Sequence, residues 1–219
     1  MKTGEIVKYL ESIAPPALQE SYDNAGLITG DMERDVDAAL LTIDVTEEVV
    51  DEAVEKNTGL IIAHHPVIFS AIKKITGTNY VERTIIKAIK NDIAIYASHT
   101  NLDVAVNGVN ARMCQKLQLQ DTSVLQPVTG KLKKLVTYIP VEESDRVKEA
   151  VFNAGAGQTG NYDYCGYTIE GTGSFRANED ANPYKGEKGK IHFENEIRFE
   201  TVFPSWLEKN IIKALLMSH

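Results

Sequence analysis

Cysteine is nearly absent from this chain. Cys114 and Cys165 are the two among 219 residues, far apart and in unlike contexts. They make no disulfide framework and read as free thiols of a reducing compartment. Neither lies in a C-x-x-C pair or beside a histidine, so a thiol nucleophile has little support. Long apolar runs are also missing. No stretch approaches the ~20 residues that span a bilayer. Met1 to Leu10 carry Lys2, Glu5 and Lys8 among the apolar positions, unlike a secretory signal. A cytoplasmic protein without a membrane partner is the expectation. Positive charge is in deficit, with a formal net charge of -8. Such a surface repels a phosphate backbone and argues against nucleic acid as a partner, although a local basic pocket for a small phosphate stays open. There is no glycine-lysine phosphate loop and no dinucleotide glycine fingerprint.

What is present suits one large or two small folded domains, with 43% hydrophobic and 25% charged residues. Ile6, Val7, Leu10 and Ile13 have helical spacing, which Pro15-Pro16 ends; a loop through Asp23-Asn24, Gly26 and Gly30-Asp31 follows. One pattern then repeats. The apolar run Ala38 to Ile43 ends in Asp44, and Thr46 can cap a helix with Val49, Val50, Ala53 and Val54. Leu60 to Ala63 ends in His64-His65-Pro66, and Asn79 can cap a helix through Ile85, Ile86 and Ile89. Ile93 to Ala97 ends near His99 and Asp103, before a helix from about Val109 to Leu117. Alternating strands and helices predict a mostly parallel sheet covered on both faces, with ligands gathering at the carboxyl ends of the strands. His64, His65, His99 and Asp103 all fall at or just past such ends.

At Gln126-Pro127 to Gly130 the character changes. Strand-like runs at Leu135–Ile139, Tyr162–Ile169, Lys190–Phe193 and Ile197–Val202 surround a helix that Ser144 can cap, and Pro204-Ser205 opens a last helix. The order is β-α-β-β-β-α, or β-α-β-β-α if the third and fourth runs form one bent hairpin. Either is close to a ferredoxin-like unit that lacks its closing strand. The expected fold class is thus α/β: a layered host region followed by an α+β unit.

His64-His65 is the sharpest local feature. Neighbouring side chains on an extended chain point to opposite sides, so the pair suits two adjacent ions, or one ligand and one outer residue. Imidazole with the carboxylate of Asp103 suits zinc, manganese, iron or nickel more than calcium or magnesium. From spacing alone a metal site and a plain polar strand end weigh equally. His99 reads as a ligand, a proton shuttle or an outer-shell partner of a ligand, against an equal reading as a strand-end histidine bonded to backbone. Asp44 reads as the start of the turn before Thr46, Asp23 is a weaker candidate, and His192 reads as a surface residue. The glycines from Gly155 to Gly173 could let a backbone approach an anion, but turns and bulges come first.

The runs Tyr22–Gly30 (YDNAGLITG), Leu60–Phe69 (LIIAHHPVIF) and Tyr96–Val109 (YASHTNLDVAVNGV) resemble the NIF-three-like dinuclear metal-centre family, whose bacterial members are often labelled GTP cyclohydrolase 1 type 2 homologues. The resemblance covers roughly the first 125 residues. It implies that His64, His65 and Asp103 ligate metal, with two divalent ions (zinc, iron, manganese or nickel) as cofactors and His99 in the outer shell. From about Lys131 the chain resembles the PII-like or CutA-like insert of longer members, on Gly155–Asn161 (GAGQTGN), Gly171–Phe175 (GTGSF) and Asn182–Gly186 (NPYKG). The expected division is therefore 1–128, half of the host domain, and 129–219, the insert without its last strand. In longer members a returning half brings a further His and Glu to the metals, so this chain is expected to be two ligands short. The resemblance implies a metal-dependent hydrolase acting on a nucleotide or phosphoester. The rival is a non-enzymatic metal-binding or regulatory protein whose PII-like part senses a small molecule. A third reading is an assembly module, since a homo-oligomeric ring is expected of the family.

Overall fold

Apolar residues at helical and alternating spacing organise the first part of the chain. The computed structural model describes residues 1–183 and 185–219; Tyr184, within the Asn182–Gly186 run, lies outside the described residues. These residues form two compact units, Met1–Ser123 and Val124–His219.

In the first unit, α1 (Thr3–Ile13), β1 (Gly26–Thr29), β2 (Ala39–Thr42), α2 (Glu47–Glu55), β3 (Leu60–Ala63), α3 (Tyr80–Lys90), β4 (Ala94–Ala97), α4 (Thr100–Val104) and α5 (Val109–Lys116) follow in order. The sheet runs β1-β4-β3-β2. β2, β3 and β4 are parallel, while β1 is antiparallel to β4. The period of two divides the strands between two apolar layers. Ile61, Ala63 and Ile95 pack with Val50 and Ala53 of α2 and Ile85 and Ala88 of α3. Leu60, Ala94 and Tyr96 face the other way and pack with Val7 of α1. Both expected caps form: Thr46 accepts from the Val49 N–H at 3.3 Å and Asn79 from the Glu82 N–H at 2.9 Å.

Two elements depart from the sequence reading. The segment read as a loop after Pro16 contains β1, and α4 occupies the stretch between β4 and α5. β1 is four residues long and has its partner about seventy positions downstream, Gly26 opposite Ala97; no local pattern announces such a pairing. A glycine allows the strand to lie close: Gly30 has φ +124°, and a Cβ there would stand 2.5 Å from that of Ala94.

The second unit contains β5 (Leu132–Pro140), α6 (Ser144–Asn153), β6 (Gly166–Arg176), β7 (Ile191–Pro204) and α7 (Glu208–Ser218). Its sheet order is β5-β7-β6 with antiparallel pairing throughout. Leu135, Ile139, Ile197, Phe199 and Phe203 pack against Val147 and Val151 of α6 and Ile211 of α7. The element order is β-α-β-β-α, but Ile191–Phe193 and Ile197–Val202 belong to a single continuous strand, not a bent hairpin. β5 reaches only to Glu196 of β7, whereas β6 pairs with β7 down to Ile191. The polar interruption Glu194-Asn195-Glu196 therefore falls where β7 emerges into a two-stranded ribbon. Ser144 is already helical, and the cap position falls on Glu143, whose side chain makes no capping bond; the 3-10 turn Val141–Glu143 takes the place of a capped start. His192 is partly exposed on β7, with Nε2 3.1 Å from Glu194 Oε2.

Candidate metal centre

Backbone hydrogen bonds continue to join the two segments past the ends of β2 and β3. The N–H groups of His64 and His65 donate to Thr42 and Ile43 carbonyls at 3.2 and 2.9 Å, and the Ser98 N–H donates to the Ala63 carbonyl at 2.9 Å. Three strand ends thereby bring Asp44, His64-His65 and Ser98-His99 side by side. This is the carboxyl edge of the parallel strands, where α/β sheets place their ligands.

Each of three histidines is held by one ring nitrogen. Nδ1 of His64 lies 2.9 Å from the Ser98 carbonyl, Nδ1 of His65 lies 2.8 Å from Asp44 Oδ1, and Nδ1 of His99 lies 2.8 Å from Asp23 Oδ1. A carbonyl or an ionised carboxylate can only accept, so each Nδ1 carries the proton. In the neutral ring the lone pair is then left on Nε2. The rings form a near-even triangle with centroids 4.9, 5.2 and 5.5 Å apart. One nitrogen from each lies within 4.8 Å of the others. The pair His64-His65 does not diverge as an extended chain would require, because β3 ends at Ala63 and both rings fall on one side.

Asp103 of α4 joins from a third direction, its Oδ1 3.9 Å from His64 Nε2. Asp23 is the most enclosed carboxylate here, with none of its side chain exposed. It accepts from His99, from the Thr100 hydroxyl in a short bond, from the Thr100 N–H at 3.1 Å and from the Asn24 N–H at 2.7 Å. Burial pushes its carboxyl up, but the bonds from Thr100, His99 and Asn24 outweigh burial and hold it below the usual range. An aromatic edge borders the cluster. Phe69 stands 6.3 Å from His99 and 6.2 Å from Tyr22, and the Asn24 amide donates to the Ile68 carbonyl at 2.7 Å, tying the two loops.

The structure thus gathers His64, His65, His99 and Asp103 at one edge. It adds Asp23 and Asp44 as partners of two histidines, roles the sequence reading missed. For Asp44 a signal existed: it ends one apolar run as His64 ends the next. The second unit places His192 on a strand of its own sheet.

These features define an α/β protein with a histidine-carboxylate candidate metal centre at the carboxyl edge of a mostly parallel sheet. The chain belongs to the Duf34/NIF3 (NGG1p interacting factor 3) family, whose model matches residues 1–197. It is 44% identical over 216 residues to the GTP cyclohydrolase 1 type 2 homolog of Bacillus subtilis (strain 168), covering 98% of this chain and 58% of that protein. The homolog of Halalkalibacterium halodurans is 40% identical over 215 residues, with the same coverage. Among solved structures, a Bacillus cereus protein related to NIF3 superposes with a TM-score of 0.83 at 41% identity, over 100% of this chain and 58% of its own. A Staphylococcus aureus protein superposes with a TM-score of 0.68 at 30% identity. The chain spans 58% of the length of each of these two curated relatives. Among the described residues, no helix is long and apolar enough to cross a membrane.

Proposed function

We propose that this chain contributes to a divalent-metal centre of a hydrolase acting on a nucleotide or phosphoester, with His64, His65 and Asp103 as ligands. The observation that carries the reading is the cluster itself: three rings, each anchored through Nδ1 to an acceptor, meet at one edge, and Nε2 of His64 lies 3.9 Å from Asp103 Oδ1. Metal-binding histidines are oriented by such acceptors on the far nitrogen, which also raise their basicity. The donor set of imidazole and carboxylate fits zinc, iron, manganese or nickel. A pair of such ions, when bound, supplies a hydroxide at neutral pH and steadies a leaving oxygen. The protein's own part is to fix donor orientation: the Ser98 carbonyl sets His64, Asp44 sets His65, and α4 presents Asp103. The names of the relatives favour a purine nucleotide as substrate, an analogy that the site's chemistry leaves open to phosphoesters as well.

We also read the second unit as a PII-like, ferredoxin-like insert lacking its closing strand. The order β5-β7-β6, with α6 between β5 and β6 and α7 after β7, supports this. Metal analysis of the purified protein, followed by nucleotide and phosphoester screening with and without a chelator, tests the functional reading. The His64→Ala, His65→Ala double variant should lose divalent metal while its circular dichroism stays near wild type. Unchanged metal content in that variant sinks the assignment. Metal binding without any chelator-sensitive turnover favours the regulatory alternative.

A further inference from the structure

We propose that a trough between α6 and β6 binds a nucleoside, its base stacked on the Phe152–Tyr164 ring pair and its sugar hydroxyls bonded to carboxylates of α6. The site lies wholly within the second unit and is independent of the metal centre in the first.

The trough exists because β6 is patterned backwards. Gly166, Thr168 and Glu170 stand opposite Thr201, Phe199 and Ile197 of β7, and residues directly opposite in a ladder share a face. Phe199 and Ile197 belong to the core under α6 and α7. β6 thus turns glycine, threonine and glutamate toward the helices. It sends Tyr167 and Ile169 to the open face, where they are 65% and 43% exposed. A strand with one face on helices normally has the reverse order. With no apolar side chain from β6 to close on, α6 leaves a cavity of about 410 Å³ beside it. That is the size of a small-molecule site.

Its walls carry complementary chemistry. Asp145, Lys148, Glu149 and Phe152 line it from α6, at the i, i+3, i+4, i+7 spacing of one helical stripe. Gly166 and Thr168 line it from β6. The rings of Phe152 and Tyr164 lie 4.7 Å apart, and Phe199 meets Phe152 edge-on at 5.4 Å. Gly166 makes room for them: a Cβ there would stand 2.7 Å from the Phe199 ring and 3.1 Å from that of Phe152. The Tyr164 hydroxyl donates to Asn153 Oδ1 at 2.9 Å, which fixes its ring. Tyr164 is also held in a left-handed conformation, with φ +53°, rare for a bulky residue. Its neighbours impose this. The Cys165 N–H donates to the Gly157 carbonyl at 2.9 Å, the Gly157 N–H to the Val202 carbonyl at 2.8 Å, and the Thr201 hydroxyl to the Cys165 carbonyl at 2.8 Å. Burial does not repay the strain, since Tyr164 stays 51% exposed. Strain enforced at the wall of a cavity is a mark of a ligand contact.

Charge selects the ligand. Lys148 is paired with Asp145 at 2.8 Å, and Glu149 adds a second carboxylate, so the rim is negative on balance. A phosphate is repelled there, whereas a carboxylate accepts from a sugar hydroxyl as it does in dinucleotide sites. Aromatic rings stack on any base. A neutral nucleoside satisfies all of these walls, and a nucleotide does not.

The test is amide NMR of the full chain, freed of metal and titrated with adenosine, AMP and ribose. Adenosine should move the Tyr164, Gly166 and Thr168 amides saturably, AMP more weakly, and ribose not at all. Tyr164→Ala should weaken adenosine binding about 5–150-fold, the loss of one base–ring stack. Thr168→Leu, at an exposed position of an edge strand, should fill the trough and abolish binding while the rest of the spectrum stays in place. Glu149→Gln removes one rim charge and should narrow the preference for adenosine over AMP. Should Tyr164→Ala not fold, Thr168→Leu decides. No saturable shift with adenosine, shifts confined to the first unit, or binding that survives Thr168→Leu overturns the site. AMP bound as tightly as adenosine overturns the ligand class.

Discussion

Replacing Asp44 with Asn separates the fold from the site. Asp44 Oδ1 is 2.8 Å from Nδ1 of His65, and the two side chains are 68% and 48% exposed. An exposed pair of this kind contributes about 0–1 kcal/mol to folding. The turn itself is held by the Thr42 hydroxyl donating to the Asp44 main-chain carbonyl at 2.8 Å, which the substitution leaves in place. Urea unfolding of the metal-free Asp44→Asn protein should therefore lie within about 1 kcal/mol of wild type. Metal binding should suffer more. The carboxylate can only accept, and so keeps the proton on Nδ1 of His65 and the lone pair on Nε2. An amide can donate to Nδ1 instead, favouring the tautomer whose Nε2 is protonated and cannot ligate. Loss of such a partner costs about 10–100-fold in affinity. That is about 1.4–2.8 kcal/mol at 1.4 kcal/mol per decade. Zinc affinity measured against a chromophoric chelator should fall by this factor in Asp44→Asn and by no more in Asp44→Ala, which removes the acceptor without adding a donor. Zinc bound as tightly as in wild type by both variants would refute the role and return Asp44 to a turn residue. Equal losses of affinity and of metal-free stability would place its effect in the fold.

The remaining predictions concern the scaffold. Ile95, fully buried at the centre of the first sheet, should cost about 2–5 kcal/mol as Ala and roughly 0.5–1.5 as Val, read by chemical denaturation; a loss under 0.5 in both would show that the layer is loosely packed. Asn79→Ala removes the acceptor of the Glu82 N–H and a donor to its carboxylate. It should cost about 1 kcal/mol or more, and an unchanged urea midpoint would count against the cap. The Glu82 carboxyl is drawn from 4.5 down to about 2 by hydrogen bonds from the Thr78 and Thr76 backbone and from their hydroxyls. A depressed carboxylate stabilises the fold fully above its unfolded value. The stability advantage of wild type over Glu82→Gln should thus be complete above about pH 4.5 and shrink as pH falls toward about 2. An advantage that grows on acidification reverses the sign and rejects the assignment.

By itself the sequence determined the elements whose signals are local. The apolar runs ending at Asp44, His64 and Ala97 became parallel strands, the intervening periodic segments became helices, and Thr46 and Asn79 capped them, because strand, helix and cap each depend on residues a few positions apart. The same locality put His64, His65 and His99 at strand ends and Asp103 just past one. The tertiary structure alone decided what depended on distant partners. β1 is too short and too glycine-flanked to announce itself, and it becomes a strand by pairing with β4. The long β7 crosses a polar interruption because β6 continues to bond it beyond the end of β5. Ser144 lost its capping role to a preceding 3-10 turn. Asp23 and Asp44 meet their histidines 76 and 21 positions away, contacts that no spacing along the chain encodes. They follow from the sheet order, since a carboxylate finds its imidazole only once adjacent strands have brought their carboxyl ends to one edge.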